Sequence, residues 1–211
     1  MVDHPIFTES IRRIRALLGE TGFDPLQQQV LERLVHSSGD PGLLQLLRFS
    51  DGACERGLEA LKDGALILTD TAMAAAAVTP MATRTLGTPV RCLLDWAPSQ
   101  SPPGSTRSAA AMQRAWPELT AAASTAGKSM PVVLVGSAPT ALEQLLDQVE
   151  DGAAAPSLVI GMPVGFVGVP ESKRRLAVTE LAQIRLEGTR GGAGLVAAAA
   201  NALLRAAQAA S

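Results

Sequence analysis

Apolar residues fall into two patterns along this chain: spaced three and four apart in some segments, in short runs in others. The N-terminal portion has only the first. Asp24-Pro25-Leu26-Gln27 reads as a helix start, with Asp as N-cap, Pro at the first helical position and Gln placed for a capping box. Leu26, Val30, Leu34 and Val35 then form one apolar stripe, which predicts a helix to about His36. Ser37-Ser38-Gly39-Asp40-Pro41 stops it. Ile11, Ile14 and Leu18 predict an earlier helix over about residues 8–18.

From residue 65 onward the two patterns alternate. Short, mostly apolar runs occur at 65–69, 90–94, 132–135, 158–160 and 182–186. Helical patterns lie between or after them, most clearly at 138–149 and 192–209. Continuous apolarity suits strands buried on both faces, as in a parallel sheet. The expected fold is therefore α/β, a three-layer α/β/α sandwich wound around a mainly parallel sheet with right-handed crossovers. Its 211 residues fit one domain over 1–211. Segment 97–106, APSQSPPGST, is the one long irregular loop and reads as a rim or lid rather than a linker.

Composition narrows the function classes. The net charge of −2 gives no electrostatic footprint for nucleic acid. Cys54 and Cys92 sit far apart in apolar surroundings and read as buried hydrophobes in a reducing compartment. The uncharged run at 156–170 is too short to span a bilayer and is broken by Pro163. Acids and bases are mixed through the first fifteen residues, unlike a signal peptide. A soluble, cytoplasmic protein without nucleic-acid or membrane partners is the expectation.

In open parallel sheets ligands bind beyond the carboxyl ends of the strands. Polar and small residues gather there, one group per strand. Asp70-Thr71-Ala72-Met73 follows the first run and Asp95-Trp96 the second. Gly136-Ser137-Ala138-Pro139-Thr140 follows the third, and Pro163-Val164-Gly165-Phe166 the fourth. Arg190-Gly191-Gly192 follows the fifth. Five loops converging on one edge make a site.

The stretch Gly192-Ala193-Gly194-Leu195-Val196-Ala197 formally matches a dinucleotide fingerprint with Ala in the last place. No further strand follows to carry an acidic ribose partner, so close packing of a helix on the sheet is the plainer reading. Of the two histidines, His4 stands near the terminus with no expected role. His36, at a helix end, is either a structural cap or a catalytic group. Arg107 and Arg190 each read as a solvated charge or as a clamp for ligand carboxylates. No cluster has metal-ligand spacing, and no nucleophile-base arrangement points to hydrolysis.

Nearly end to end, the chain resembles the precorrin-8X methylmutase family (precorrin isomerase, including the cobalt-precorrin-8 methylmutases). The resemblance runs through Val35-His36-Ser37-Ser38-Gly39-Asp40, Thr69-Asp70-Thr71-Ala72-Met73 and Thr106-Arg107-Ser108. It continues in Ala138-Pro139-Thr140-Ala141-Leu142, in Pro163-Val164-Gly165-Phe166-Val167-Gly168 with Glu171-Ser172-Lys173, and in Arg190-Gly191-Gly192. It implies a flavodoxin-like fold, a homodimer, no cofactor, and an isomerase of cobalamin biosynthesis. The implied reaction is a 1,5-sigmatropic methyl shift from C-11 to C-12 of precorrin-8X or cobalt-precorrin-8, giving hydrogenobyrinate or cobyrinate. His36 falls on the family's catalytic histidine. The implied substrate contacts are Ser10, Asp70, Thr71, Met73, Thr106 and Arg107, then Ser137, Ala138, Pro139 and Thr140. Val164, Gly165, Phe166, Arg190, Gly191 and Gly192 complete the set.

Two positions depart from the family pattern: Ser137 stands where Asn is usual, and Ala193 where Ser is usual. A sigmatropic shift needs protonation of the conjugated ring and confinement of one conformer, and a histidine of near-neutral pKa is a suitable acid. Two other readings stay open at this point. One is a non-catalytic corrinoid carrier; the other, with the resemblance set aside, is an anion- or nucleotide-binding protein using the helix at Gly192.

Overall fold

The computed structural model describes residues 4–209. Two helices open the chain, α1 (Pro5–Leu18) and α2 (Pro25–Ser38), followed by a 3-10 turn over Pro41–Gln45 and strand β1 (Leu47–Phe49). Then come α3 (Ala53–Lys62), β2 (Ile67–Thr69), α4 (Ala72–Thr85) and β3 (Val90–Cys92). After a second 3-10 turn follow α5 (Arg107–Thr125), β4 (Val132–Val135), α6 (Pro139–Glu150) and β5 (Leu158–Gly161). The chain closes with α7 (Val169–Ala177), β6 (Gln183–Leu186) and α8 (Ala193–Ala209).

The predicted capping box at α2 forms: the Asp24 carboxylate accepts from the Leu26 and Gln27 amides. The helix runs two residues past His36 and is closed by Gly39 in the left-handed conformation. α1 begins earlier than its apolar spacing indicates, because His4 caps it, with Nδ1 accepting from the Ile6 amide. His4 thus has a structural role that its place near the terminus does not reveal.

Six strands lie in the order β1-β6-β5-β4-β2-β3, all parallel except β1, which pairs antiparallel with β6. Setting β1 aside, this is the flavodoxin-like order, with its switch point between β2 and β4. The side chains of β4 alternate between two cores. Val132 and Leu134 face the one built with α2, α3, α4 and α8; Val133 and Val135 face the one built with α5, α6 and α7. The alanine-rich tract of α8 is buried throughout Val196–Leu204, where small side chains let it lie against α2 and α4. Three layers result, and every parallel strand points its C-terminal end toward the same edge.

Candidate active site

At the switch point the chain crosses from β2 to β4, and Asp70 closes the gap. This residue, one beyond β2, is 2 % exposed. Its Oδ2 accepts three consecutive amides after β4: Gly136 at 3.0 Å, Ser137 at 2.6 Å and Ala138 at 2.8 Å. Three successive N–H groups make a nest that holds anions in many folds. Here the protein's own carboxylate fills it. Burial pushes the Asp70 carboxyl above its ordinary value, and the three amides pull the other way. Oδ1 is buried without a hydrogen-bond partner. As a group expected to meet ligand, Asp70 is instead turned inward, so the geometry makes it a fastening for the 136–138 turn. The filled nest also removes this turn as a phosphate cradle.

Around that fastening the other strand-end loops are fixed by backbone fit. Gly136 passes so close to the start of α8 that an added Cβ would lie 2.7 Å from the Ala193 nitrogen. Gly191 is more constrained still, since a Cβ there would stand 1.9 Å from the Met162 carbonyl oxygen. Gly192 donates to that carbonyl at 2.9 Å, and Gly165 donates to Thr189 at 3.1 Å. Close approach of chain segments is thus the task of Gly136 and Gly191. At Gly192 and Gly194, the glycines of the fingerprint, an added Cβ would meet open space, and Gly192 is set apart by its φ of 133°. Thr106 and Thr140, at the starts of α5 and α6, bring their hydroxyls within 2.7 Å of each other. Thr71 caps α4 through the Ala74 amide, and Ser137, Ala138 and Pro139 form the turn that leads into α6.

The outward surface of these loops is apolar. Met73 is 72 % exposed, Phe166 86 % and Val167 90 %, with Val164 beside them in sequence and about half exposed. Large apolar side chains presented this openly mark a face that meets another molecule. The loop between β5 and α7 displays Phe166 and Val167 on its solvent side. Two arginines stand among the polar groups. Arg107 donates from Nε to the Pro98 carbonyl at 2.8 Å, which ties the proline-rich 97–106 loop to α5 and leaves the other guanidinium nitrogens for a ligand. Arg190 is not a solitary clamp: it pairs with Asp40 at 3.0 Å.

That ion pair links the strand ends to the histidine. Asp40 lies four residues beyond His36, across the Gly39 cap. The ring of His36 is bonded through Nδ1 to Ser10 Oγ at 2.8 Å and meets the edge of Phe7 at 5.1 Å between centroids. Its side chain does not cap the helix, since Gly39 closes α2. Burial, and then the nearby Arg33 charge, hold its pKa below the ordinary histidine value. Phe7 itself lies under two guanidinium groups, Arg33 at 5.1 Å and Arg205 at 5.0 Å. Behind it, between α1, α2 and α8, is a cavity of about 530 Å³ with Phe7, Ile11, Arg33 and Arg205 in its walls.

The structure thus brings Ser10 and His36 together as a pair, and gathers Met73, Thr106, Arg107, Thr140, Phe166 and Arg190 along the strand-end edge. Phe7, Asp40 and Lys173 escaped the sequence reading as members of the site. Asp40 and Lys173 lie inside quoted motifs, whereas nothing in the chain near Phe7 marks it. The cysteines are free; Cys54 is buried with its thiol pushed up to about 12, which leaves it unreactive. Among the described residues no helix is long and apolar enough to cross a membrane, and no group of three or more His, Cys, Asp or Glu stands together as a metal site.

The fold and its edge define a flavodoxin-like α/β protein with an open, apolar and arginine-bearing site and a single paired histidine. The family model for precorrin-8X methylmutase matches residues 5–206, and the chain belongs to that family of isomerases. It is 33 % identical to the cobalt-precorrin-8 methylmutase of a Synechocystis strain over 217 residues, covering 96 % of this chain and 95 % of the relative. It is 38 % identical over 207 residues to the precorrin-8X methylmutase of Pseudomonas aeruginosa, covering 94 % and 93 %. The precorrin-8X methylmutase structure from Thermus thermophilus superposes with a TM-score of 0.81 at 38 % identity, covering 97 % of this chain and 96 % of that one.

Proposed function

We propose that this protein, acting as one domain, catalyses the 1,5-sigmatropic shift of a methyl group from C-11 to C-12 of precorrin-8X or its cobalt-containing counterpart. The observation that carries the reading is the Ser10–His36 pair. In the imidazolium form Nδ1–H donates to Ser10 Oγ, and Nε2–H is left as the proton donor toward a ligand. The substrate is a broad conjugated ring edged with carboxylate arms. Its flat apolar face suits Met73, Val164, Phe166 and Val167; its arms suit Arg107, Arg190 and the hydroxyls of Thr106 and Thr140. Protonation of the conjugated system by His36 weakens the bond between the methyl group and C-11 as the new bond to C-12 forms. The proton returns once the methyl has moved. A homodimer in the cytoplasm completes the reading, a second copy being suited to cover the open strand-end face.

The acid role fixes a pH dependence. The His36 pKa is depressed, so its protonated, active form is already being lost as pH rises toward neutrality. We expect kcat/KM to fall with rising pH through an inflection below the ordinary histidine value of about 6.5. The inflection in kcat should lie higher, because bound carboxylates favour the imidazolium. A kcat/KM profile that is flat or rises between about pH 5.5 and 8 contradicts this assignment.

Arg107→Ala should weaken corrinoid binding by about 1.5–3 kcal/mol through loss of a charge-assisted contact. Raised salt should reproduce part of that loss, because a contact at an exposed rim is screened. Titration of the ligand absorption against wild type and variant measures both, and unchanged affinity returns Arg107 to a role in anchoring the 97–106 loop. The reading as a whole is tested by co-expression with the preceding enzymes of the pathway. A hydrogenobyrinate-type chromophore should accumulate and co-purify; persistence of unconverted precorrin-8X contradicts it.

A further inference from the structure

One charged side chain near the site has no place in the chemistry above. Lys173, in the second turn of α7, is 2 % exposed, and among the described residues no carboxylate pairs with it. Its Nζ donates instead to two backbone carbonyls, Gly188 at 2.9 Å and Arg190 at 2.6 Å. Burial pulls its pKa down to about 8. An ammonium taken out of water without an opposite charge is costly, and an apolar side chain of the same length would fill the space without that cost. What the lysine gains is a grip on the turn that follows β6.

We propose that Lys173 is a positioning residue for substrate binding: by holding the carbonyls on either side of Thr189 it fixes the backbone from which Arg190 reaches the substrate. The inference rests on the reading that Arg190 meets a carboxylate arm. Three further contacts make the turn a junction. Thr189 accepts from Gly165 in the Phe166 loop at 3.1 Å, Gly192 donates to Met162 at 2.9 Å, and the Arg190 guanidinium spans to Asp40 at 3.0 Å. Lys173 therefore sets the loop bearing Arg190 and, through Thr189, steadies the loop bearing Phe166. It mirrors Asp70, an acid buried against three amides on the β4 turn, with a base buried against two carbonyls on the β6 turn. His36 is oriented directly by Ser10 and tied to the β6 turn through the Arg190–Asp40 pair four residues along the chain, so loosening that turn should impair binding more than the chemical step.

The test is steady-state kinetics on precorrin-8X for the full chain as wild type, Lys173→Met, Arg190→Ala and the double variant. Lys173→Met should raise KM about tenfold while kcat stays within about twofold. In the Arg190→Ala background the same substitution should raise KM by about threefold at most, because the part of its effect carried by Arg190 is already gone and only the part through the Phe166 loop remains. An unchanged KM, or an equal rise in both backgrounds, overturns the proposal. Should Lys173→Met not fold, Lys173→Gln, which keeps N–H donors on a shorter arm, enters the same comparison with a smaller rise expected. A wild-type protein without turnover would sink the methylmutase reading instead. Hydrogen exchange then decides on Lys173: the amides of residues 189–192 should exchange at least about tenfold faster in Lys173→Met with β4 and β5 unchanged, and equal rates overturn its role.

Discussion

His36→Ala removes turnover by a factor of about a hundred or more, while the protein stays folded and still binds corrinoid. The ring sits on the exposed side of α2, and its contacts are Ser10 and the edge of Phe7. Neither contact supports the core, and the helix end is closed by Gly39 rather than by the imidazole. Truncation therefore takes away the proton donor and little else. Ser10→Ala should give a smaller loss, because the ring remains but its tautomer and orientation are no longer fixed. Single-turnover absorbance changes on precorrin-8X separate binding from chemistry. A His36→Ala protein with near wild-type rates eliminates the proposed acid, and an insoluble one returns His36 to a structural role.

Asp70→Ala should produce the largest loss of stability among the strand-end residues, about 3 kcal/mol. The substitution leaves the Gly136, Ser137 and Ala138 amides without the oxygen they share, inside a turn that has no other side-chain cap for α6. The start of α6 should loosen, and with it the Thr106–Thr140 contact at the rim. Asp70→Asn retains a carbonyl oxygen for the amides and should lose markedly less. Urea denaturation of the three proteins reports the difference. An Asp70→Ala protein as stable as wild type, with binding lost instead, would restore the direct ligand contact expected from the motif.

Asp70 shows where the sequence stops being informative. A carboxylate at a strand end is readable from its position after Leu68-Thr69, but whether it points to a ligand or back to its own backbone depends on the partner strand. That partner, β4, lies 66 residues away along the chain at the Gly136 bond. The central strands β2, β4 and β5 were legible because burial on both faces leaves unbroken apolar runs. β3 and β6, which carry Arg91, Gln183 and Arg185, showed only as shorter apolar stretches in the alternating order. β1 was not legible, because three residues on an edge, with Arg48 pairing to Glu187, carry no such run. His36 stood out by residue type. Its link to the strand ends through Asp40 and Arg190 required the fold, as did the grip of Lys173 on carbonyls that the sequence cannot display.

Mixing purified protein with a large molar excess of precorrin-8X and following the absorbance to its end point tests the central claim most directly. Conversion of many molecules of precorrin-8X to hydrogenobyrinate per molecule of protein is the result this account predicts. A spectral change that stops at one ligand per site, with precorrin-8X recovered unchanged after denaturation, would contradict it and identify a corrinoid carrier.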